Sequence, residues 1–281
     1  MTGDEYRMKP VPKAALYVDA HAHLDLYRDG GKTALGDIET HGILTISTGM
    51  NPQSYRAARA LAAQSSLVIP AFGVHPWEAP EYVDRLDVLD AELQSAPVIG
   101  EVGLDFRYVT NSDRYSAQER VFEYFLSCAA STGKILNLHT SGAEKIIAKK
   151  LRARNITRAI IHWYSGPMDV LETLIDIECY FTVGVEILFS KHIRDIARNI
   201  PLHLLLTETD NPVGIVWYRK NIGEGMPSLV IDVIDALSDI RRMPTDDLAH
   251  RIMENFNTLI RDDPHLADFH RRASHDGIVP A

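Results

Sequence analysis

The sequence predicts an α/β protein built as one (β/α)8 TIM barrel. Three observations carry this. Eight short apolar runs read as strands. Roughly 15–30 residues of helical spacing separate most of them, and no second composition regime, linker or repeat divides the chain. An open doubly wound sheet is the competing reading. Such a sheet usually begins with a Gly-rich phosphate loop, and none follows the first run.

In chain order the expected strands are 16–20, 42–47, 66–72, 97–101, 134–139, 158–162, 180–184 and 203–208. Of the helices between them, 116–133 is the clearest: Ser116 with Glu119 three residues on reads as a capping box, and Gly133 as the stop. In 169–178, apolar residues recur at three and four positions, as on a surface helix. Residues 246–260 look like a closing helix, so the barrel is expected over 16–262. Residues 1–15 form an expected loose N-terminal arm, and 263–281 a loose polar tail.

Composition narrows the function. With 46% apolar residues a 281-residue chain can build one large core. Its 29 basic and 38 acidic residues give a formal charge of -9, which argues against a nucleic-acid coat or membrane-surface binder. A nucleic-acid enzyme stays open, because bound metal supplies local positive charge. Cys128 and Cys179 form no disulfide framework or thiolate motif and read as buried thiols. No run reaches membrane-spanning length and residues 1–15 lack an apolar signal core, so a soluble cytoplasmic protein without a membrane partner is expected.

The chemistry collects at strand ends, which in a barrel open into one mouth. His21 and His23 end the first strand on one face, by the two-residue period. His75 follows the third strand, Glu101 ends the fourth, His139 the fifth and His162 the sixth. Asp210 follows the eighth, with Glu208 two residues earlier on the same face. Burying such groups without partners costs about 1–3 kcal/mol each, and a metal centre provides partners. The donors are nitrogen and oxygen, suiting Mg²⁺, Mn²⁺, Zn²⁺ or similar ions. Their number fits two divalent ions about 3.5–4 Å apart, with Glu101 bridging from a strand opposite the first. The reaction class is metal-assisted hydrolysis.

The motifs resemble the TatD family of metal-dependent deoxyribonucleases, within the amidohydrolase-like barrels. HAHLD (21–25), GVHP (73–76), GEVGLD (100–105), HWYSG (162–166) and ETDNP (208–212) stand in the family's order. The resemblance implies that His21 and His23 bind one ion with Asp210, that Glu101 bridges, and that His139 and His162 complete the second site. It implies a DNA substrate, with an exonuclease acting on single strands or ends as the narrower expectation. Asp210 would handle protons at the attacking water. Glu208 would assist there, and His75 would lie near the substrate phosphate.

Departures touch the substrate side: Ser141 stands where the family usually has arginine, and Trp77 where it often has a second histidine. Asp25-Leu26-Tyr27 after HAHL is similar to the QatD-like branch of a bacterial antiphage defence system, which implies companion proteins. Asp25 and Asp105 are expected to orient ligands or loops; His41, His192, His203 and His250 read as ordinary. Arg107 and Lys191 are the basic residues placed to meet phosphate. Trp77, Trp163, Tyr164 and Trp217 either stack on bases or fill loop cores, and 211–225 could form a lid. Two rival functions stay open: hydrolysis of a small-molecule amide or ester, and a metal-stabilised subunit without turnover.

Overall fold

The computed structural model describes residues 16–219 and 223–278, so the expected N-terminal arm and three residues of the expected lid fall outside the described residues. The strands are β1 (Tyr17–Ala22), β2 (Ile43–Gly49), β3 (Val68–Phe72), β4 (Val98–Gly103), β5 (Ile135–His139), β6 (Ala159–Ile161), β7 (Tyr180–Val183) and β8 (Leu205–Thr207). They form one sheet in sequential order, and each of the seven pairings is parallel. With helices around it, the sheet is the expected barrel. Both faces of a parallel barrel strand are covered, which is why β2, β6 and β8 are buried throughout and read as unbroken apolar or small-residue runs.

Between β8 and β1 the barrel is closed by bonds at the strand ends. The Asp210 N–H donates to the His21 carbonyl at 3.0 Å, and the His23 N–H to the Asn211 carbonyl at 2.7 Å. Below them the Asp19 carboxylate accepts from the Thr209 N–H at 2.9 Å and its hydroxyl at 2.6 Å. Burial pushes the Asp19 carboxyl up to about 8, against the pull of those Thr209 donors. The seam thus fixes β1 and the residues after β8, both bearing site residues, against each other.

Register breaks twice. It shifts between Asp19 and Ala22 on β1, and between Ile99 and Val102 on β4. His21 and Glu101 lie inside those two intervals. Such irregularities re-aim side chains next to active sites.

The helices differ from expectation at their ends. The long one runs Tyr115–Thr132, and Ser116 does not cap it: a 3-10 turn, Ser112–Arg114, leads straight in, and Asn111 caps that turn through the Asp113 N–H. Gly133 does end it, at φ 72°. The surface helix is Met168–Ile175 and the closing helix Thr245–Ile260. Beyond it, part of the expected loose tail is folded, and residues 279–281 lie outside the described residues: helix Ala267–His275 buries Phe269 and Ala273, with Leu266 just before it. Arg272 donates to the Ala62 carbonyl at 2.7 Å and Arg158 to Asp263 at 2.7 Å. These contacts precede β3 and β6, so the segment covers the barrel end opposite the mouth. Its apolar residues recur at helical spacing, but interspersed charges conceal them. Cys179 is buried, whereas Cys128 is only half-buried.

Candidate metal centre

Four donors meet around one point. His21 Nε2 lies 3.3 Å from His23 Nε2, 3.5 Å from Glu101 Oε2 and 3.6 Å from Asp210 Oδ1. His23 Nε2 lies 3.3 Å from the same Glu101 oxygen and 3.2 Å from the same Asp210 oxygen. Donors held tetrahedrally at about 2.0–2.2 Å from one ion sit about 3.3–3.6 Å apart. Those spacings are near the edges of a coordination tetrahedron, and the 3.2–3.3 Å contacts of His23 are also within hydrogen-bond reach.

The other Glu101 oxygen faces a second group. Oε1 is 2.8 Å from His139 Nδ1, 3.0 Å from His162 Nε2 and 3.4 Å from His75 Nε2. His162 Nε2 and His139 Nδ1 are 3.4 Å apart. Here the shortest contact is of hydrogen-bond length, so a proton holds the group together. The His21–His23–Glu101 and His75–Glu101–His139 sets can each hold a metal ion, and so can His21–His162–Glu208, which overlaps the first. Glu101 belongs to the first two sets.

Three of the ligand rings are held from behind. His21 Nδ1 meets Asn137 Oδ1 at 2.8 Å, and His23 Nδ1 meets the Thr48 carbonyl at 3.0 Å. His139 Nε2 lies 3.2 Å from Asp105 Oδ2. Such contacts fix which nitrogen faces the ion. Asn137 and Thr48 escaped sequence reasoning, because a buried Asn or Thr within an apolar run carries no local signal. Asp105 orients ligand and loop as expected, and it also accepts from the Arg107 and Tyr108 N–H groups. Asp25 accepts from the Ser54 hydroxyl at 2.7 Å. Gly100 leaves room for this packing, since a Cβ there would come within 2.6 Å of the Asn137 Cβ.

Electrostatics agree with a cation site. Burial alone would lower the His162 imidazole, but the Glu101 carboxylate outweighs it, with help from Glu208, and raises it to about 10. Burial opposes charge at His23 and His139 too, yet carboxylate partners push both upward: Asp210 and Glu101 for His23, Asp105 and Glu101 for His139. For Glu101 and Asp210, burial favours the neutral acid, but the facing imidazoles hold both below the ordinary carboxylate range. His75 behaves oppositely: burial keeps it below the usual histidine range. Its Nε2 stands within the His75–Glu101–His139 group, 3.4 Å from Glu101 Oε1.

Glu208 sits behind His162. Its Oε2 accepts from the Thr182 hydroxyl at 2.6 Å and lies 3.5 Å from His162 Nδ1. Oε1 of Glu208 and Nδ1 of His162 are buried without a hydrogen bond. Asp210 and Trp163 adopt positive φ, 52° and 42°. An aspartate tolerates that region, while for tryptophan it is strained. Of the other mouth residues, Arg107 reaches Ser165 Oγ at 2.9 Å, and Lys191 opens helix Lys191–Asn199. Tyr164 is buried with its hydroxyl on the Pro167 carbonyl, so it fills a loop core.

A strand-ordered parallel barrel with paired histidine–carboxylate clusters at its mouth defines the class: a metal-dependent hydrolase of the amidohydrolase type. Within that class the chain belongs to the TatD-related DNase family, whose profile matches residues 18–261. It is 27% identical over 263 residues to YcfH of Escherichia coli K12, described as an uncharacterised metal-dependent hydrolase; the match covers 88% of this chain and 96% of that protein. The crystal structure of YjjV, a TatD homologue from E. coli K12, superposes with a TM-score of 0.79 at 23% identity, covering 87% of this chain and 98% of that one. A TatD-family hydrolase from Entamoeba histolytica gives 0.74 at 17% identity, covering 88% and 98%. The two structures share the fold.

Proposed function

We propose that this hydrolase cleaves phosphodiester bonds in DNA, acting on single strands or ends. One observation carries the reading: Glu101 turns one oxygen to the His21–His23–Asp210 group and the other to His139 and His162. A carboxylate so placed can join two cations, and scaffolding requires no such pair. Divalent ions bound there would supply Lewis-acid charge, which lowers the pKa of water and neutralises a phosphoryl oxygen.

The chain's own groups do the rest. His21, His23 and Asp210 form one set of donors, and His139 and His162, with His75 beside them, form the other. Asp210, kept ionised and partly open to the mouth, accepts the proton of the attacking water. Glu208 sets the orientation of His162 through the Thr182-anchored contact. Arg107, exposed at the rim, is placed to meet a phosphate. The family's description as DNases supports the substrate. The net charge of -9 favours the alternative, a small amide or ester.

Among the described residues no helix is long and apolar enough to cross a membrane. The antiphage reading rests on the sequence likeness at 25–27. In the fold Asp25 bonds Ser54, and the Tyr27 hydroxyl donates to the Gly225 carbonyl at 2.6 Å, which gives those residues structural work.

The test is cleavage of 3′- and 5′-blocked single-stranded oligonucleotides across Mg²⁺, Mn²⁺ and Zn²⁺, comparing wild type with Glu101→Ala. Expected is metal-dependent cutting by wild type and a loss of about 10³-fold or more in the variant, with the circular dichroism spectrum retained. Ester or amide turnover without any oligonucleotide cleavage would reject DNA as substrate; unchanged cutting by the variant would reject the centre.

A further inference from the structure

Exposed aromatic rings gather at the barrel mouth. Among the described residues, Trp77, Tyr108, Phe189, Trp217 and Tyr218 are all exposed and all follow C-terminal strand ends. Bare rings concentrated at one rim mark a place where something flat binds.

Two arrangements differ. Phe189 and Tyr218 stack on each other at 5.2 Å and 8°, with Trp163 against Tyr218 and the Arg219 guanidinium over Phe189. Those faces are occupied from within the chain. Trp77, Tyr108 and Trp217 instead line an open cleft with Arg114. Tyr108 and Trp217 are 57% and 59% exposed, and their rings lie 5.9 Å apart at 40°, tilted rather than stacked. Trp77 forms the fixed wall: its Nε1 donates to Asp105 Oδ2 at 2.7 Å, and Arg114 donates to its carbonyl at 2.6 Å. The same Asp105 oxygen lies 3.2 Å from His139 Nε2, and the Trp77 ring meets His75 edge-on at 4.8 Å. One carboxylate therefore separates the cleft wall from the metal-binding cluster.

We propose that Trp77, Tyr108 and Trp217 form a nucleobase-stacking subsite for the residue flanking the phosphodiester at the metal centre, with Arg114 beside it for a phosphate. The proposal rests on the nuclease reading and deepens it. Every base has a π-face, so such a platform grips without reading sequence, and arginine adds cation–π and phosphate contacts. A base in a duplex has both faces covered by its neighbours. The cleft accordingly selects unpaired strands and frayed ends, in keeping with a net charge of -9 that disfavours long-range grip on duplex.

The experiment compares wild type, Trp217→Ala, Trp217→Phe and Tyr108→Ala, all at exposed positions where folding is undisturbed. Cleavage is measured on a single-stranded oligonucleotide and on the same strand carrying abasic sites. Binding of a 2-aminopurine-containing strand to the metal-loaded protein is followed by quenching of its fluorescence, read before cleavage sets in. Wild type should prefer the base-bearing strand in kcat/KM, and each alanine variant should reduce that preference about tenfold while Trp217→Phe retains most of it. Quenching should weaken in parallel. Cleavage with an unchanged preference in the alanine variants overturns the subsite and leaves the nuclease reading intact. Stacking-dependent quenching without cleavage supports the subsite and rejects only DNA hydrolysis. Neither cleavage nor quenching rejects both.

Discussion

Glu101 is the residue on which the site turns, because a carboxylate has two oxygens and each here faces a different imidazole cluster. Without metal, the carboxylates are balanced by protons on the rings. His162, raised to about 10, makes a stabilising contribution that is fully present below its unfolded value of 6.5 and is lost as pH climbs through 10. Metal requires neutral imidazole, so loading should release protons and apparent affinity should rise with pH across the neutral range. Calorimetry in buffers of different ionisation enthalpy reads the proton count; a buffer-independent heat of binding would contradict the charge balance described. The motif residues were legible because His, Asp and Glu at the ends of apolar runs are conspicuous. Asn137 and Thr48 were not: their role comes from the facing strand, and nothing adjacent in the chain announces it.

At the scale of elements, the barrel was legible and its trimmings were not. Alternating apolar runs and helical spacing are local properties, whereas the cap of helix Tyr115–Thr132 depends on how the preceding turn enters. The C-terminal helix shows the same limit. Its charged residues read as a tail until Leu266, Phe269 and Ala273 meet the barrel floor. Replacing the buried Phe269 by alanine should therefore cost about 3–5 kcal/mol of stability, visible as a lower denaturant midpoint with an unchanged slope. A loss below about 0.5 kcal/mol, the range of a surface substitution, would return the segment to the status of a tail.

For the whole molecule, on the proposed nuclease reading, the net charge of -9 opposes DNA at long range and leaves attraction to the metal centre and a few rim groups. Binding to single strands should then show a shallow salt dependence, a log–log slope of about -1 to -2, corresponding to two or three phosphate contacts. Anisotropy titrations from 50 to 300 mM salt, roughly the range where such slopes are read, measure it. A slope as steep as about -6 would instead mean many phosphate contacts along an extended basic track.

By itself the sequence determined the eightfold alternation and which histidines and acids stand at the strand ends, since period and residue type are written locally. Only the tertiary structure decided that His21 and His23 each lie within 3.6 Å of both Glu101 and Asp210, that His75 joins the second cluster, and that three aromatics face a common cleft. Those outcomes depend on barrel closure at the β8–β1 seam and on register breaks in β1 and β4. Distances between residues far apart in the chain are set by how strands pair and shift, and no local pattern encodes them.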